Sequence, residues 1–287
     1  MSFLPKKSTL TWLALAALTT FADAAWASAT SAPRDMDVPF IVSPPAVTQA
    51  MLDIAKVTRH DFVIDLGAGD GRIVILAAKT HGARGLGVEI DPRLVEVARA
   101  HAEKAGVAAR AHFRVEDLFA TDLSPATVIT TYLLPDVNLA LRPKLLALKP
   151  GTRVVSHDWD MGDWRHDDMR VVANPDKTVG LEKTSKIFLW TVPAKVGGKW
   201  CARQATAAGQ PARVLSLEIE QQYQRINGTL TTSTGKSKST PQRFRATLDG
   251  ARFAIPFDGT SLPALAGDGT ITLTGLPQPL VFRQGGC

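Results

Sequence analysis

Seven residues constrain this chain more than any others: Asp65-Leu66-Gly67-Ala68-Gly69-Asp70-Gly71. They follow the apolar run Phe62-Val63-Ile64 and precede Arg72 to Thr80, whose pattern predicts a helix. A glycine-rich turn between a buried strand and a helix is where open α/β sheets receive ligands, beyond the carboxyl ends of their strands. Glycines there let a ligand press against bare backbone, because any Cβ would fill that space. The spacing is G-x-G-x-G. A dinucleotide fingerprint needs its third glycine one residue later, where this chain has Arg72, and no G-x-x-x-x-G-K-[ST] run exists.

The same alternation continues. A helix is expected from Ala46 to Val57. Gly85 to Ile90 reads as a second strand, and Pro92 to Ala105 as a helix opened by its proline. Strands follow at His112 to Glu116, Thr127 to Tyr132, Thr152 to His157 and Ile187 to Val192, with a helix at Val137 to Ala147. Strands alternating with helices imply right-handed βαβ units, and so an α/β fold with a doubly wound, mostly parallel sheet. Two carboxylates complete the ligand constellation. Glu89 ends the second strand, 22 residues after Gly67, where it can accept hydrogen bonds from both hydroxyls of a ribose. Asp117 ends the third strand, where it can accept from an adenine amino group.

The character changes near residue 196. Beyond it come short strand-like runs separated by Gly, Asn, Ser and Thr, which predict a small antiparallel β domain over 197–287. Leu215, Leu217 and Ile219 alternate with Ser216, Glu218 and Glu220, as in a half-buried strand. Asn227-Gly228 and Asp249-Gly250 read as hairpin turns, and the Ser/Thr-rich stretch Thr231 to Thr240 as a loop. Asn227-Gly228-Thr229 also fits a glycosylation acceptor. Of the net charge of +6, residues 197–287 carry +5 (10 basic, 5 acidic) and residues 30–196 carry none. The excess fits either an anionic or envelope partner or a merely solvated surface.

Residues 1–29 read as a secretory signal: Lys6 and Lys7, an apolar run from Leu10 to Ala22, then Ala27-Ser28-Ala29. Cleavage there would export the protein to the periplasm or envelope; an uncleaved segment would anchor it to the membrane. The two cysteines, Cys201 and Cys287, agree with an oxidising compartment. A bridge between them would close a loop worth roughly 4 to 5 kcal/mol on the chain-entropy model. The six histidines show no H-x-x-x-H and the cysteines no C-x-x-C, so no metal site is expected. No basic stripe with interleaved aromatics suggests nucleic acid.

With Asp65, Gly67, Gly69, Gly71, Glu89 and Asp117 in this order, the chain resembles the seven-stranded, Rossmann-like methyltransferases that use S-adenosylmethionine. The resemblance covers about residues 38 to 194. It implies that the four loop residues surround the methionine part of the cofactor, that Glu89 binds the ribose and that Asp117 binds the adenine. Val38-Pro39-Phe40-Ile41-Val42-Ser43-Pro44, Tyr132-Leu133-Leu134-Pro135-Asp136-Val137-Asn138 and Ser156-His157-Asp158-Trp159-Asp160-Met161-Gly162-Asp163-Trp164 sharpen it. They look like the protein-lysine methyltransferases acting on the ATP synthase c-subunit and the adenine nucleotide translocase, and like their bacterial relatives. That likeness implies that Pro39 and Phe40 help to enclose the cofactor and that the segment holding Tyr132 and Asn138 faces the substrate. Ser43 stands where the family has Thr. The leader and the β domain are absent from the eukaryotic pattern.

Methyl transfer to lysine requires a neutral amine, and a dry aromatic pocket lowers a lysine pKa by desolvation. Tyr132 is the expected wall of that pocket and, with Asp158, the expected catalytic pair. Asp158, Trp159 and Trp164 would form an acidic, aromatic mouth for a basic substrate. The two tryptophans could instead pack against the C-terminal domain. His157 is either a base or a hydrogen-bonded core residue. The expectation is a protein-lysine N-methyltransferase with a lysine-bearing protein as partner. Two alternatives stand beside it: a small-molecule methyltransferase, and an exported binding module with a vestigial cofactor site.

Overall fold

The structure is a computed structural model that describes residue 1, residues 41–178 and residues 180–287. The remainder of the expected leader, with Pro39 and Phe40, lies outside the described residues. The first sheet contains β1 (Phe62–Leu66), β2 (Arg84–Glu89), β3 (Ala111–Val115), β4 (Val128–Thr131), β5 (Arg153–His157), β6 (Asp168–Ala173) and β7 (Thr184–Thr191). Its helices are α1 (Pro45–Ile54), α2 (Arg72–His81), α3 (Pro92–Lys104) and α4 (Pro135–Leu145). Strand order is β3-β2-β1-β4-β5-β7-β6, with β7 antiparallel to both neighbours and the other pairs parallel. The order reverses between β1 and β4, so the carboxyl ends of β1, β2, β4 and β5 open on one edge at the switch point.

Local chemistry explains the elements. Proline stands at the start of α1, α3 and α4, where its missing N–H costs nothing. Asp91 caps α3 by accepting from the Arg93 N–H at 2.8 Å. Helix α1 buries Val47, Met51, Leu52 and Ile54 in one cluster with Val63, Val128, Val155 and Ile187 of the sheet. Each such side chain contributes about 1.5–3 kcal/mol. Arg153 fastens the end of α1 to the sheet through the Ala55 carbonyl and Asp61, and Asp61 Oδ1 also accepts from Thr127 Oγ1 at 2.7 Å. In the first sheet, strand β6 is the element the sequence does not announce. Its side chains are almost all exposed, so no apolar periodicity marks it.

The second sheet is antiparallel throughout. Its strands are β8 (Gly198–Gln204), β9 (Arg213–Gln222), β10 (Arg225–Thr234), β11 (Ser237–Lys238), β12 (Gln242–Thr247), β13 (Arg252–Phe257), β14 (Thr260–Gly267), β15 (Thr270–Leu273) and β16 (Leu280–Gln284). The order is β11-β10-β9-β8-β16-β15-β14-β13, with β12 also on β10. An Asp249–Arg252 bridge closes the turn between β12 and β13, and the sheet packs one core that includes Trp200, Leu217, Ile255 and Phe282. A Cys201–Cys287 disulfide, with a Cα–Cα distance of 5.2 Å, ties β8 to the third residue beyond β16.

Asn227-Gly228 is not a turn. Both residues lie inside β10, whose ten residues all pair with β9, and the chain reverses at Tyr223-Gln224 instead, with Tyr223 at φ 53°. Gly228 is needed for a different reason: a Cβ there would sit 2.1 Å from Phe244 Cζ. The expected loop 231–240 is likewise strand as far as Thr234. Asp249-Gly250 does turn the chain, and it meets the first sheet. Gly250 O accepts from Ala194 N–H at 2.8 Å, and a Cβ on Gly250 would lie 2.9 Å from the Gly151 backbone.

Candidate active site

The glycine loop is folded back over the end of β2. The Gly67 and Ala68 amides both donate to Val88 O at 2.9 Å, and the Gly69 amide donates to Glu89 Oε2 at 2.9 Å. Glu89 Oε1 accepts from the Ile90 and Asp91 amides at 2.9 and 3.2 Å. Gly67, Gly69 and Gly71 have φ of 75°, 53° and 81°, a region other residues rarely adopt. Gly71 also meets a packing demand. A Cβ there would lie 2.6 Å from Phe113 and 2.8 Å from Ala98, so its bareness serves the packing of β3 and α3 against the loop.

Asp65, next to last in β1, is almost wholly buried, and its Oδ1 accepts from Thr130 Oγ1 at 2.6 Å. Burial lifts its pKa to about 7; the Thr130 hydroxyl opposes this, and the charges of Glu89 and Asp70 add to it. Asp70 is gripped by Arg72, whose Nη1 reaches on to Ser43 O at 2.7 Å. Ser43 Oγ is 2.9 Å from His157 Nδ1, and His157 Nε2 is 2.8 Å from Ser185 Oγ. Ser43 therefore links the glycine loop to the ends of β5 and β7.

His157 is a buried, hydrogen-bonded core residue. Burial pulls its pKa down to about 4; Asp158 pulls it up and Lys177 pulls it further down, so it is neutral at pH 7. Tyr132 stacks on it, ring centroids 3.8 Å apart. Burial, helped by the charge of Asp158, holds the Tyr132 phenol at about 12. Asp158 has φ 62°; its Oδ1 accepts from the Lys186 amide at 2.9 Å, and its Oδ2 lies 2.9 Å from Lys177 Nζ. The structure thus brings together Asp65, Glu89, Tyr132 and Asp158 on one sheet edge. Asp117 stands exposed beyond β3, its Oδ1 accepting from the Phe119 amide at 2.8 Å.

Two expected substrate residues are withdrawn from solvent. Asn138 is fully buried and donates to Ser156 Oγ at 3.1 Å and Trp159 O at 3.3 Å, bracing the segment after β5. Trp164 is also fully buried, packed beside Trp190 and stacked on Tyr223 of the second sheet, 6.2 Å between centroids. Of the tryptophan pair, Trp159 remains partly exposed. Sequence reasoning missed Ile90, an apolar side chain 69% exposed directly after Glu89. An isoleucine left open directly after the acid that ends β2 was a usable signal of an exposed apolar side chain on this edge. It also missed Lys177, for which no local signal exists.

The buried acid at β1, the half-exposed acid at β2 and the left-handed glycine loop between them fit S-adenosylmethionine. The carboxylates suit its ammonium and ribose hydroxyls, and the bare loop suits close approach.

Residues 65–168 match the family model described as the ANTKMT methyltransferase domain. A protein-lysine N-methyltransferase of Saccharolobus islandicus is 48% identical over 147 residues, which is 50% of this chain and 86% of the relative. The mouse ATP synthase c-subunit lysine N-methyltransferase is 31% identical over 171 residues, covering 58% of this chain and 64% of that protein. A solved structure described as an RNA methyltransferase from Salinibacter ruber, in complex with S-adenosyl-L-homocysteine, is 51% identical. It covers 54% of this chain and 96% of its own, with a TM-score of 0.49. Motif order, strand order and the Saccharolobus islandicus relative agree: this chain belongs to the protein-lysine N-methyltransferase family and uses S-adenosylmethionine.

Proposed function

We propose that the chain methylates the ε-amino group of lysine on a protein of the cell envelope. The observation that carries the reading is the placement of Tyr132 and Asp158 at the ends of adjacent strands, on the edge that also holds Asp65 and Glu89. The cofactor, when bound, supplies a sulfonium methyl group. The chain's own residues align the acceptor, exclude water and favour its neutral form. The half-buried phenol of Tyr132, un-ionised at pH 7, is a dry wall for a lysine stem. Asp158 supplies the negative charge that draws the lysine in as an ammonium, and desolvation against Tyr132 then favours loss of its proton to solvent.

Export is supported by the leader-like residues 1–29 and by the disulfide. The +5 charge of residues 197–287 suits an anionic envelope surface. A calorimetric titration of residues 30–287 with S-adenosylmethionine, beside Glu89→Ala, tests the first half of the reading. Labelled-methyl transfer to lysines of cell-envelope extracts tests the second. Binding without transfer to any lysine would refute it.

A further inference from the structure

Lys177 belongs to the connection between β6 and β7, on the sheet edge where the site opens. Among the described residues from Pro175 to Lys183 it alone is not exposed. Its side chain is 11% accessible and turns inward. There Nζ donates to Thr184 O at 2.7 Å and lies 2.9 Å from Asp158 Oδ2. Asp158 is itself held in place, at φ 62°, by the Lys186 amide. The carboxylate has His157 Nε2 at 3.3 Å, and His157 carries the stacked Tyr132.

A buried ion pair is a poor way to hold a turn, because the cost of desolvating both charges offsets most of their attraction. An apolar side chain would anchor this turn as well. What the arrangement does provide is a cradle matched to a primary ammonium: one carboxylate oxygen and one carbonyl converging on Nζ, next to the aromatic wall. Resting on the lysine-methyltransferase reading above, we propose that Asp158 Oδ2 and the Thr184 carbonyl form the acceptor-lysine subsite, and that Lys177 fills it until a substrate lysine displaces it. Asp158 is then a positioning residue that receives the substrate ammonium, whose proton must pass to solvent before the neutral amine attacks the sulfonium methyl.

The full chain tests this without cofactor. Amine acetylation followed by peptide mapping should label Lys177 at least about tenfold more slowly than Lys183, a difference of about 1.4 kcal/mol in opening. Tens of millimolar Nα-acetyl-lysine methylamide should raise the Lys177 rate relative to that of Lys183 several-fold, a ratio that cancels the reagent consumed by the probe's own amine, and the norleucine analogue should not. Equal labelling of Lys177 and Lys183, or indifference to the lysine probe, overturns the proposal. Lys177→Ala should bind the probe about tenfold more tightly than the parent by NMR titration. Adding Asp158→Asn should abolish that gain. No gain in a folded Lys177→Ala chain overturns the proposal too; if that variant does not fold, the labelling of the parent decides. Methyl transfer to envelope lysines that continues while the probe leaves Lys177 untouched removes the subsite and keeps the function. Absence of transfer to any lysine removes the function itself.

Discussion

Glu89 holds Gly69: its Oε2 accepts the Gly69 amide at 2.9 Å while its other oxygen takes the amides of Ile90 and Asp91. One carboxylate therefore shapes the glycine loop and, on the proposed cofactor placement, would also receive the ribose. Removing it should cost more than one ligand contact. A hydrogen bond to a charged group is worth about 1.5–3 kcal/mol, or roughly 10- to 100-fold in affinity. Glu89→Ala should lower affinity for S-adenosylmethionine by more than about 100-fold, and Glu89→Gln, which keeps an oxygen for the amides, should recover part. Calorimetry distinguishes the two; equal losses would mean that the loop keeps its shape without Glu89.

Asp65 should make both stability and binding depend on pH. Its native pKa is about 7 against 3.8, so between those values the folded chain holds a proton that the unfolded chain releases. Stability contributed here therefore falls as pH rises from about 4 to about 7, by up to about 4 kcal/mol. Asp65→Asn should raise the unfolding midpoint above pH 7 and leave it unchanged near pH 4. A cationic cofactor favours the ionised carboxylate, so binding to the parent should tighten through this range and release a proton. Titrations in buffers of different ionisation enthalpy would detect that proton.

The β9–β10 turn should support the acceptor side of the site. Gln224 Nε2 donates to Arg165 O at 2.6 Å and to Asp167 Oδ1 at 2.9 Å, and Tyr223 OH donates to Asp163 at 3.0 Å. Residues 158–167, between β5 and β6, contain no helix, so these bonds brace them from outside. Deleting 197–287 should expose Trp164 to fluorescence quenchers and reduce lysine methylation, with cofactor affinity within about threefold of the parent. Loss of cofactor binding in a folded truncation would show instead that the second sheet shapes the glycine loop.

Gly228→Ala should destabilise by about 1–3 kcal/mol, because its Cβ meets the Phe244 ring inside the second sheet. Phe244→Ala in the same chain should relieve the clash, so the double variant should be more stable than the sum of the two losses. Denaturant melts of the four chains give the coupling energy, and strict additivity would rule out the contact.

The cofactor half of the site was legible because it is local. Strand, glycine loop, helix and the acid ending the next strand all lie within residues 62–89, and spacing alone assigns them to one edge. The acceptor half was not. Asp158 finds Lys177 and the Lys186 amide only through the β5–β7 pairing, and Trp164 finds Tyr223 only when the second sheet folds against the first. From sequence, Trp164 could face either a substrate or the second sheet, and packing decides for the sheet. Strand β6 escaped because an exposed edge strand carries no apolar rhythm. Asn227-Gly228 misled because a glycine that makes room for a ring reads like a glycine that turns a chain.

The bridge between Cys201 and Cys287 makes the second sheet mechanically continuous. Its opening and closing strands, 86 residues apart at the two sulfurs, are fastened to each other. Tension applied at Cys287 enters β8 directly and passes through residues 193–197 to the first sheet, bypassing every hairpin from β9 to β16. The strands cannot be peeled off one at a time from that end while the bridge is intact. Tethered at Cys287 in an atomic-force measurement, the chain should give a single rupture with the bridge oxidised and a staircase of smaller ones after reduction.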